Sequence, residues 1–554
     1  MSNKKLKKLN GLNFISIGGC SEIGMNMYAY ICDDQWILVD MGMGFDNSLG
    51  RELIVPSPEQ LIANKSKIKA LFISHSHEDH IGAIPYLWPM VECPIYARPF
   101  AIEMIKDKLS QFNLEKTVPL IKVALDQKIE VGNFKVEFIP MAHSTPESNA
   151  LAIQTKHGAL IHSGDWRIDS DPILGLKTDD EKLKEYGKNG VLALVCDSTN
   201  SFRQEHYGTE RDVRTTLIDV VKKFKGRRVL ITCFASNLAR LESCYYAAKE
   251  NGRRLIVAGR SLKKIEKVAK AAGYLEDIPP FMDEWSAKDI NPAEALLVCT
   301  GSQGELNSAL NKIAHDEHKN IKLSEGDIVI FSSRTIPGNE KAVLEIQNLL
   351  TEKGVQIITD LDYTVHASGH PSQEELELLY SWIRPEILIP MHGERVHLHK
   401  QAELGNKFGI KHTLIPYDGN VINLSKDGAK VVDSTCNEML AVDGTKLIPL
   451  SGSIYKARQK LSSDGVVSLC FKLKGNTLRL LDFDCVGVFE ESEVQEKQDI
   501  RKDIEAEIKL SFEHLARKQL IDKNKAIESI KKIVKTVFLD CRGKKPVVLT
   551  HIAE

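Results

Sequence analysis

The sequence holds no long apolar run. None of its stretches approaches the roughly 20 residues that a bilayer-spanning helix needs, which excludes a helical membrane protein. The basic start, Met1-Ser2-Asn3-Lys4-Lys5-Leu6-Lys7-Lys8, leads into no apolar core of a secretory leader and reads as a frayed tail. Eleven cysteines include no Cys-x-x-Cys pair, and their odd number argues against both a disulfide framework and a cysteine-type zinc site. Together these absences predict a cytoplasmic protein with no membrane partner. A surplus of one charge is missing too. The 73 Lys and Arg stand against 75 Asp and Glu, a formal net charge of −2, so any RNA partner must be met by local positive surface. There is no internal repeat and no low-complexity segment.

What is present is a 554-residue chain, too long for one compact core, which predicts two or three domains. Residues 75–80 read His-Ser-His-Glu-Asp-His. This H-x-H-x-D-H pattern puts three imidazoles and a carboxylate at a spacing that suits a dinuclear metal site. Ala70-Leu71-Phe72-Ile73-Ser74 before it reads as a buried strand, and Ile81-Gly82-Ala83-Ile84-Pro85 after it as a turn into a helix. Strand ends are where α/β proteins place their sites. Each zinc takes roughly three or four protein ligands and a pair needs a bridging oxygen, so further donors are required. They recur in the same layout. Asp40 follows Trp36–Val39, His143 follows Phe138–Ala142, Asp165 follows Ile161–Gly164, and His392 follows Ile387–Met391.

That ordered series resembles the metallo-β-lactamase superfamily, and Gly18-Gly19-Cys20-Ser21-Glu22-Ile23-Gly24-Met25-Asn26-Met27 narrows the resemblance to its β-CASP nucleases. Asp40 matches the first superfamily motif, His75, His77, Asp79 and His80 the second, His143 the third and Asp165 the fourth. Asp197, His370 and His392 match the three β-CASP motifs, the last two separated by 392 − 370 = 22 residues. Phe234–Arg240, Gly259–Ser261, Thr300–Glu305, Ile336–Glu340 and His366–His370 extend the resemblance to the bacterial ribonuclease J family, over residues 12–425. No expected ligand is missing, which implies an active enzyme. Ala239 and Arg334 depart from the family pattern and bear on substrate contact rather than on the metals.

The resemblance implies a metal-dependent ribonuclease that is a 5′→3′ exonuclease preferring 5′-monophosphate ends and also an endonuclease, serving RNA maturation and mRNA decay. It implies two divalent ions, Zn²⁺ first, with Mn²⁺ or Mg²⁺ as alternatives for activity, and a hydroxide held by them that attacks phosphorus. One ion is expected on His75, His77 and His143, the other on Asp79, His80 and His392, with Asp165 as bridge. Asp40 is expected to orient a ligand imidazole. Asp79, Asp165, His370 and Asp197 form the expected catalytic set, His370 protonating the leaving 3′-oxygen or stabilising developing charge and Asp197 holding its tautomer. Asp197 also reads as a helix cap, since Asp-Ser-Thr-Asn suits a helix start. Ser236, Asn237, His366, Ser368, Gly369 and His370 are expected to form a 5′-monophosphate pocket, although Ser-Gly pairs are equally ordinary turn elements.

The fold class expected is α/β: a metallo-β-lactamase αββα sandwich with an inserted doubly wound α/β β-CASP domain and a small α+β C-terminal domain. The spans are a tail over 1–11, the sandwich over 12–199 and 361–430, the insert over 200–360, a linker over 431–455 and the C-terminal domain over 456–554. The partners expected are single-stranded RNA, further copies of the chain in a homodimer or homotetramer assembled through the C-terminal domain, and proteins of an RNA-degradation complex. Two other functions stay open: a β-CASP processing endonuclease without exonuclease activity, and an RNA-decay scaffold with weak activity.

Overall fold

The computed structural model describes residues 6, 8–46, 48–49, 52–204, 208–336, 338–474, 477–516 and 522–553. Residues 1–5 and 7 of the expected tail and Pro337 lie outside that set, whereas Leu6, the one apolar residue among the lysines, is buried at 4% exposure. The chain forms two compact units, one of residues 1–44 and 55–437, the other of residues 45–54 and 438–554.

The first unit is built on two stacked sheets. In the eight-stranded sheet the order is Gly428–Ser434, Asn420–Ser425, Leu12–Gly18, Met27–Cys32, Gln35–Val39, Ile68–Phe72, Ile95–Ala97 and Leu120–Lys122. The seven-stranded sheet runs His412–Thr413, Ile387–Met391, Ala193–Asp197, Gly158–His162, Asn149–Thr155, Phe134–Pro140 and Lys128–Val131. Phe14, Tyr28, Tyr30 and Phe72 from one sheet and Phe138, Leu151, Val195 and Ile389 from the other share one core. Behind the second sheet, Ile161, Leu194 and Leu388 pack with Leu183, Leu376 and Leu379 of helices Asp180–Asn189 and Gln373–Ile383. Strands covered on both faces read as unbroken apolar runs, and Leu12–Gly18, Met27–Cys32 and Ile387–Met391 are buried along their whole length. This is the expected αββα sandwich.

The insert leaves the sandwich after Ala193–Asp197 and returns at Ile387–Met391, and these two strands pair in parallel with Asp197 opposite Met391. Between them, six strands form a sheet in the order Met282–Asp283, Arg254–Ala258, Ala295–Cys299, Val229–Thr232, Ile328–Phe331 and Gln356–Ile358. All its pairings are parallel, and the amphipathic helices expected from the sequence connect them, as a doubly wound domain requires.

The second unit holds two small sheets. Residues 439–449, expected as linker, are the hairpin Met439–Asp443 and Lys446–Pro449, in a four-stranded sheet with Glu52–Pro56 and Gly44–Asp46. Asp443 pairs with Lys446 across a two-residue turn that begins with Gly444 at φ +60°, a conformation glycine adopts at no steric cost. Residues 431–434, the start of the same expected linker, complete the edge strand Gly428–Ser434 of the sandwich. The other sheet, Thr477–Val486, Val466–Lys474 and Val547–Ala553, packs with helices Val494–Ala516 and Lys523–Arg542 around Phe471, Ile504, Ile530 and Phe538. It is the expected α+β domain. Among the described residues, no helix is long and apolar enough to cross a membrane.

Candidate metal centre

The hexapeptide turns out of strand Ile68–Phe72 into the short helix Glu78–Ile81. Its backbone is locked from the side. Asn26 N–H donates to Asp79 O at 2.9 Å and Met41 N–H to His80 O at 2.8 Å. Gly42 is the close approach that permits this, because a Cβ there would stand 1.7 Å from Asp79 O. Asp40 and His392 both sit in the left-handed region, at φ +60° and +53°, the kind of backbone strain that persists where the surroundings over-determine it.

The sandwich gathers His75, His77, His143 and Asp165 in one group and Asp79, His80, Asp165 and His392 in a second, with the donor atoms of each within 4.8 Å of one another. In the first, His75 Nε2 and His143 Nε2 each lie 3.1 Å from His77 Nδ1. Asp165 Oδ2 is 3.6 Å from His75 Nε2, 3.3 Å from His80 Nε2 and 3.5 Å from His392 Nε2. In the second group, His392 Nε2 lies 3.0 Å from Asp79 Oδ2.

Partners behind the imidazoles decide which nitrogen faces inward. A carboxylate and a carbonyl only accept, so His80 Nδ1–H donates to Asp40 Oδ2 at 2.7 Å and His143 Nδ1–H to Gly369 O at 2.6 Å. His75 Nδ1 meets Ser74 Oγ at 3.0 Å, and that hydroxyl donates to Asp40 at 2.7 Å. His392 Nδ1 meets Thr199 Oγ1 at 2.6 Å. Each Nε2 is thereby turned toward Asp165.

Charge differs between the groups. Burial, reinforced by His80 and only partly offset by Asp165, leaves the His75 imidazole well below its usual range. Burial and the neighbouring His77 do the same to His143, and His77 falls to about 4, chiefly by burial. These three are neutral donors. In the second group burial is outweighed by carboxylates. Asp165, Asp79 and Asp40 hold His80 well above the ordinary histidine value, and His392 is pushed up to about 9. Protons and cations compete for such lone pairs, so nitrogen donors crowded around a carboxylate suit a divalent ion. Asp165 Oδ1 is buried and has no hydrogen-bond partner among the described residues, a second observation that fits a cation there. All-nitrogen-and-oxygen donors match Zn²⁺ or Mn²⁺ and no thiolate is involved.

Beside this cluster stands His370, a quarter exposed, with Nδ1 donating to Asp197 Oδ2 at 2.8 Å and its ring stacked 5.3 Å from that of His392. Burial opposes its protonation, but Asp197 wins and raises it above the usual value. Asp197 caps no helix; its Oδ1 accepts Thr199 N–H at 2.9 Å within a turn, while Oδ2 serves His370. Asn200 Nδ2 donates to Ser368 Oγ and His370 O, and Arg167 to Ser368 O, which fixes the 368–370 loop. Gly369 packs so close that a Cβ would stand 2.8 Å from His143 Cε1.

The six residues expected around a phosphate come from two segments, 236–237 and 366–370. Asn237 Oδ1 accepts Arg240 N–H at 2.9 Å and caps helix Leu238–Glu250, and among the described residues no hydrogen bond joins Ser236 or Asn237 to the 368–370 loop. His366 Nδ1 is buried without a partner among the described residues, its pKa pulled well down by burial and then by Arg240, Arg334 and Arg167. Sequence reasoning assigned nothing to Arg167 or Arg240, nor to Ser74, Thr199 and Asn26, whose amide lies 3.0 Å from His80 Nε2. Ser74 is legible as the neighbour of His75; Thr199 and Asn26 sit inside quoted motifs but carry no spacing signal. A further group, Cys32, Asp33 and His157, has its carboxylate committed to Lys156 at 2.7 Å and Gly11 N–H at 3.0 Å.

Comparisons with known proteins agree with this architecture. The model of the beta-lactamase superfamily domain matches residues 35–183, that of the ribonuclease J beta-CASP domain residues 226–350, and that of the Zn-dependent metallo-hydrolase RNA specificity domain residues 354–416. A protein of Sinorhizobium meliloti named ribonuclease J is 38% identical over 549 residues, covering 98% of this chain and 97% of its own. Ribonuclease J 1 of Streptococcus pyogenes is 34% identical, covering 87% and 86%, and ribonuclease J of Thermus thermophilus 33%, covering 82% and 81%. A crystal structure of an Enterococcus faecalis protein of unknown function shares the fold, with a TM-score of 0.53, 17% identity, and coverage of 74% of this chain and 100% of that one.

Proposed function

The chain belongs to the ribonuclease J family and is a metal-dependent ribonuclease, and from that premise we propose that it removes nucleotides 5′→3′ from single-stranded RNA, with a preference for 5′-monophosphate ends, and cuts internally as well. The observation that carries the mechanism is the pair of donor groups sharing Asp165, all within 4.8 Å. His75, His77 and His143 would hold one divalent ion, Asp79, His80 and His392 the other, and Asp165 both, with Zn²⁺ first and Mn²⁺ or Mg²⁺ as alternatives. When bound, such a pair neutralises phosphate charge and makes a water nucleophilic near neutral pH.

The chain's own residues do the rest. Asp40, Thr199 and Gly369 O would hold the three imidazoles of His80, His392 and His143 in the tautomer a metal needs. His370, held through Nδ1 by Asp197 and raised in pKa, gives the proton from its other nitrogen to the departing 3′-oxygen. The 368–370 loop, with the positive surroundings of His366, would receive the 5′-monophosphate. One nucleotide between that pocket and the metals would set the length of each product. The proposal extends to assembly of a homodimer or homotetramer through the C-terminal unit, to partners in an RNA-degradation complex, and to a cytoplasmic location.

The test is cleavage of one RNA bearing a 5′-monophosphate, 5′-triphosphate or 5′-hydroxyl, with Mn²⁺ or Zn²⁺ and an Asp79→Ala control. Mononucleotides released fastest from the monophosphate support the reading. Internal cuts indifferent to the 5′ end would replace it with a processing endonuclease, and no metal-dependent cutting with a decay scaffold.

A further inference from the structure

A second pocket lies in the inserted domain, at the edge of the parallel sheet opposite the loops 234–237 and 300–303. It has a volume of about 370 Å³ and is lined by Tyr245 and Lys249 of helix Leu238–Glu250, by Arg253 and Arg254 where the next strand begins, and by Phe281. That volume falls in the ordinary range of small-molecule sites, roughly 300–1,000 Å³.

Arg253 is the anomaly. It is 8% exposed, and its three hydrogen bonds among the described residues go to the carbonyls of Phe224, Arg227 and Ala295 at 2.7, 2.8 and 3.0 Å. A guanidinium has five N–H groups, so among the described residues two are left without a protein partner and open to solvent or a ligand, and no carboxylate faces the charge. Buried charges are ordinarily paired. Burial is the sole influence on its pKa, which lies below the usual arginine value. Lys249 and Arg254, both exposed, form no ion pair among the described residues; Lys249 Nζ only overlies the Tyr246 ring at 5.8 Å. Across from these cations the Tyr245 and Phe281 rings are 6.4 Å apart and tilted by 49°. The pocket therefore offers flat apolar faces beside three uncompensated positive charges.

We propose that this pocket binds a nucleotide, its base against Tyr245 and Phe281 and its phosphate on Arg253, Arg254 and Lys249. Rings give a base a stacking surface, and unpaired guanidinium and ammonium groups give a phosphate its donors. The nucleotide is either a free nucleoside monophosphate or a unit of an RNA strand running along the inserted domain. The site is separate from the metal cluster and does not depend on how that cluster works.

The experiment uses the full chain in EDTA and titrates it calorimetrically with adenosine 5′-monophosphate and with a 2′-O-methyl oligoadenylate. The variants are Lys249→Glu/Arg254→Glu, two exposed positions, and Phe281→Leu, which keeps the apolar bulk and removes the ring. Loss of affinity by about tenfold or more for the mononucleotide supports a free-nucleotide site. The same loss for the oligonucleotide alone supports a strand contact. Both variants should keep wild-type metal content and cleavage of a short RNA. If folded variants bind both probes as the wild type does, or the wild type binds neither, the proposal is overturned, and an acidic peptide becomes the better ligand class. Normal metal-dependent cleavage beside such a result would leave the ribonuclease reading intact.

Discussion

Replacing Gly369 with alanine tests whether the 368–370 loop acts on the metals or only on the substrate. Gly369 is outside the left-handed region, so the added methyl meets no backbone strain and its cost is contact alone. That methyl would stand 2.8 Å from His143 Cε1, 3.1 Å from Nδ1 and 3.2 Å from Ser144 Oγ. Carbon atoms rest about 3.5–4.0 Å apart, so the ring or the loop must give by roughly 0.7 Å or more. Metal–ligand distances tolerate only about ±0.2 Å, and the 2.6 Å bond from His143 Nδ1–H to Gly369 O is strained by the same displacement. Crowding of this kind costs about 1–3 kcal/mol of stability, and disturbing the partner behind a ligand histidine lowers metal affinity about 10–100-fold. The assay is competition between the protein and a chromophoric chelator, which resolves two binding steps, beside a thermal melt. One step should weaken by that factor while the other moves much less. Two unchanged affinities together with a lost preference for 5′-monophosphate RNA would refute the reasoning and assign Gly369 to the phosphate alone.

Three further outcomes are expected. Asp40→Asn keeps one acceptor oxygen, for Ser74 N–H, and turns the other, which takes His80 Nδ1–H and Ser74 Oγ–H, into an NH₂ donor; the second metal site should weaken about 10–100-fold, read in the same chelator assay. Asp197→Asn should lower kcat about 10²–10⁴-fold with metal content unchanged, the signature of a group acting through His370 rather than through the ions. His162 is buried beside the Tyr30 hydroxyl at 2.9 Å, and burial and then His80 take its pKa down to about 3. The unfolded chain takes up this proton near pH 6.5 and the folded chain only near 3, so stability falls as pH drops through that window, by about 1.4 kcal/mol per unit for this one group. His162→Phe should remove that slope from denaturant-unfolding curves between pH 6.5 and 4.5, whatever constant cost the unpaired Tyr30 hydroxyl adds.

The cluster of candidate donors was legible because its side chains sit at the ends of unbroken apolar runs, where each strand's direction leaves the next polar residue at the sheet edge. Asp40, His75, His143, Asp165 and His392 all follow that rule. Their tautomers were not legible: Thr199 and Gly369 O reach His392 and His143 from segments 193 and 226 residues away. Short polar residues are the hardest to read from sequence. Asn237 caps a helix through Oδ1, while Asp197, whose neighbours also suit a cap, faces His370. An Asx side chain serves a local N–H or a distant ring with the same oxygen, and only tertiary structure chooses. The hairpin over 439–449 carried its own Asp-Gly turn signal, but the pairing of Glu52–Pro56 with it is long-range and leaves no local mark.

The most direct test of the account is the rate of mononucleotide release from 5′-monophosphorylated RNA by chelator-treated protein re-supplied with Zn²⁺ or Mn²⁺, compared with Asp165→Ala. Activity should return only as two ions per chain are regained, and the variant should stay inactive at any metal concentration. Full activity after one ion, or cleavage by the variant at the wild-type rate, would contradict a centre in which Asp165 joins two cations.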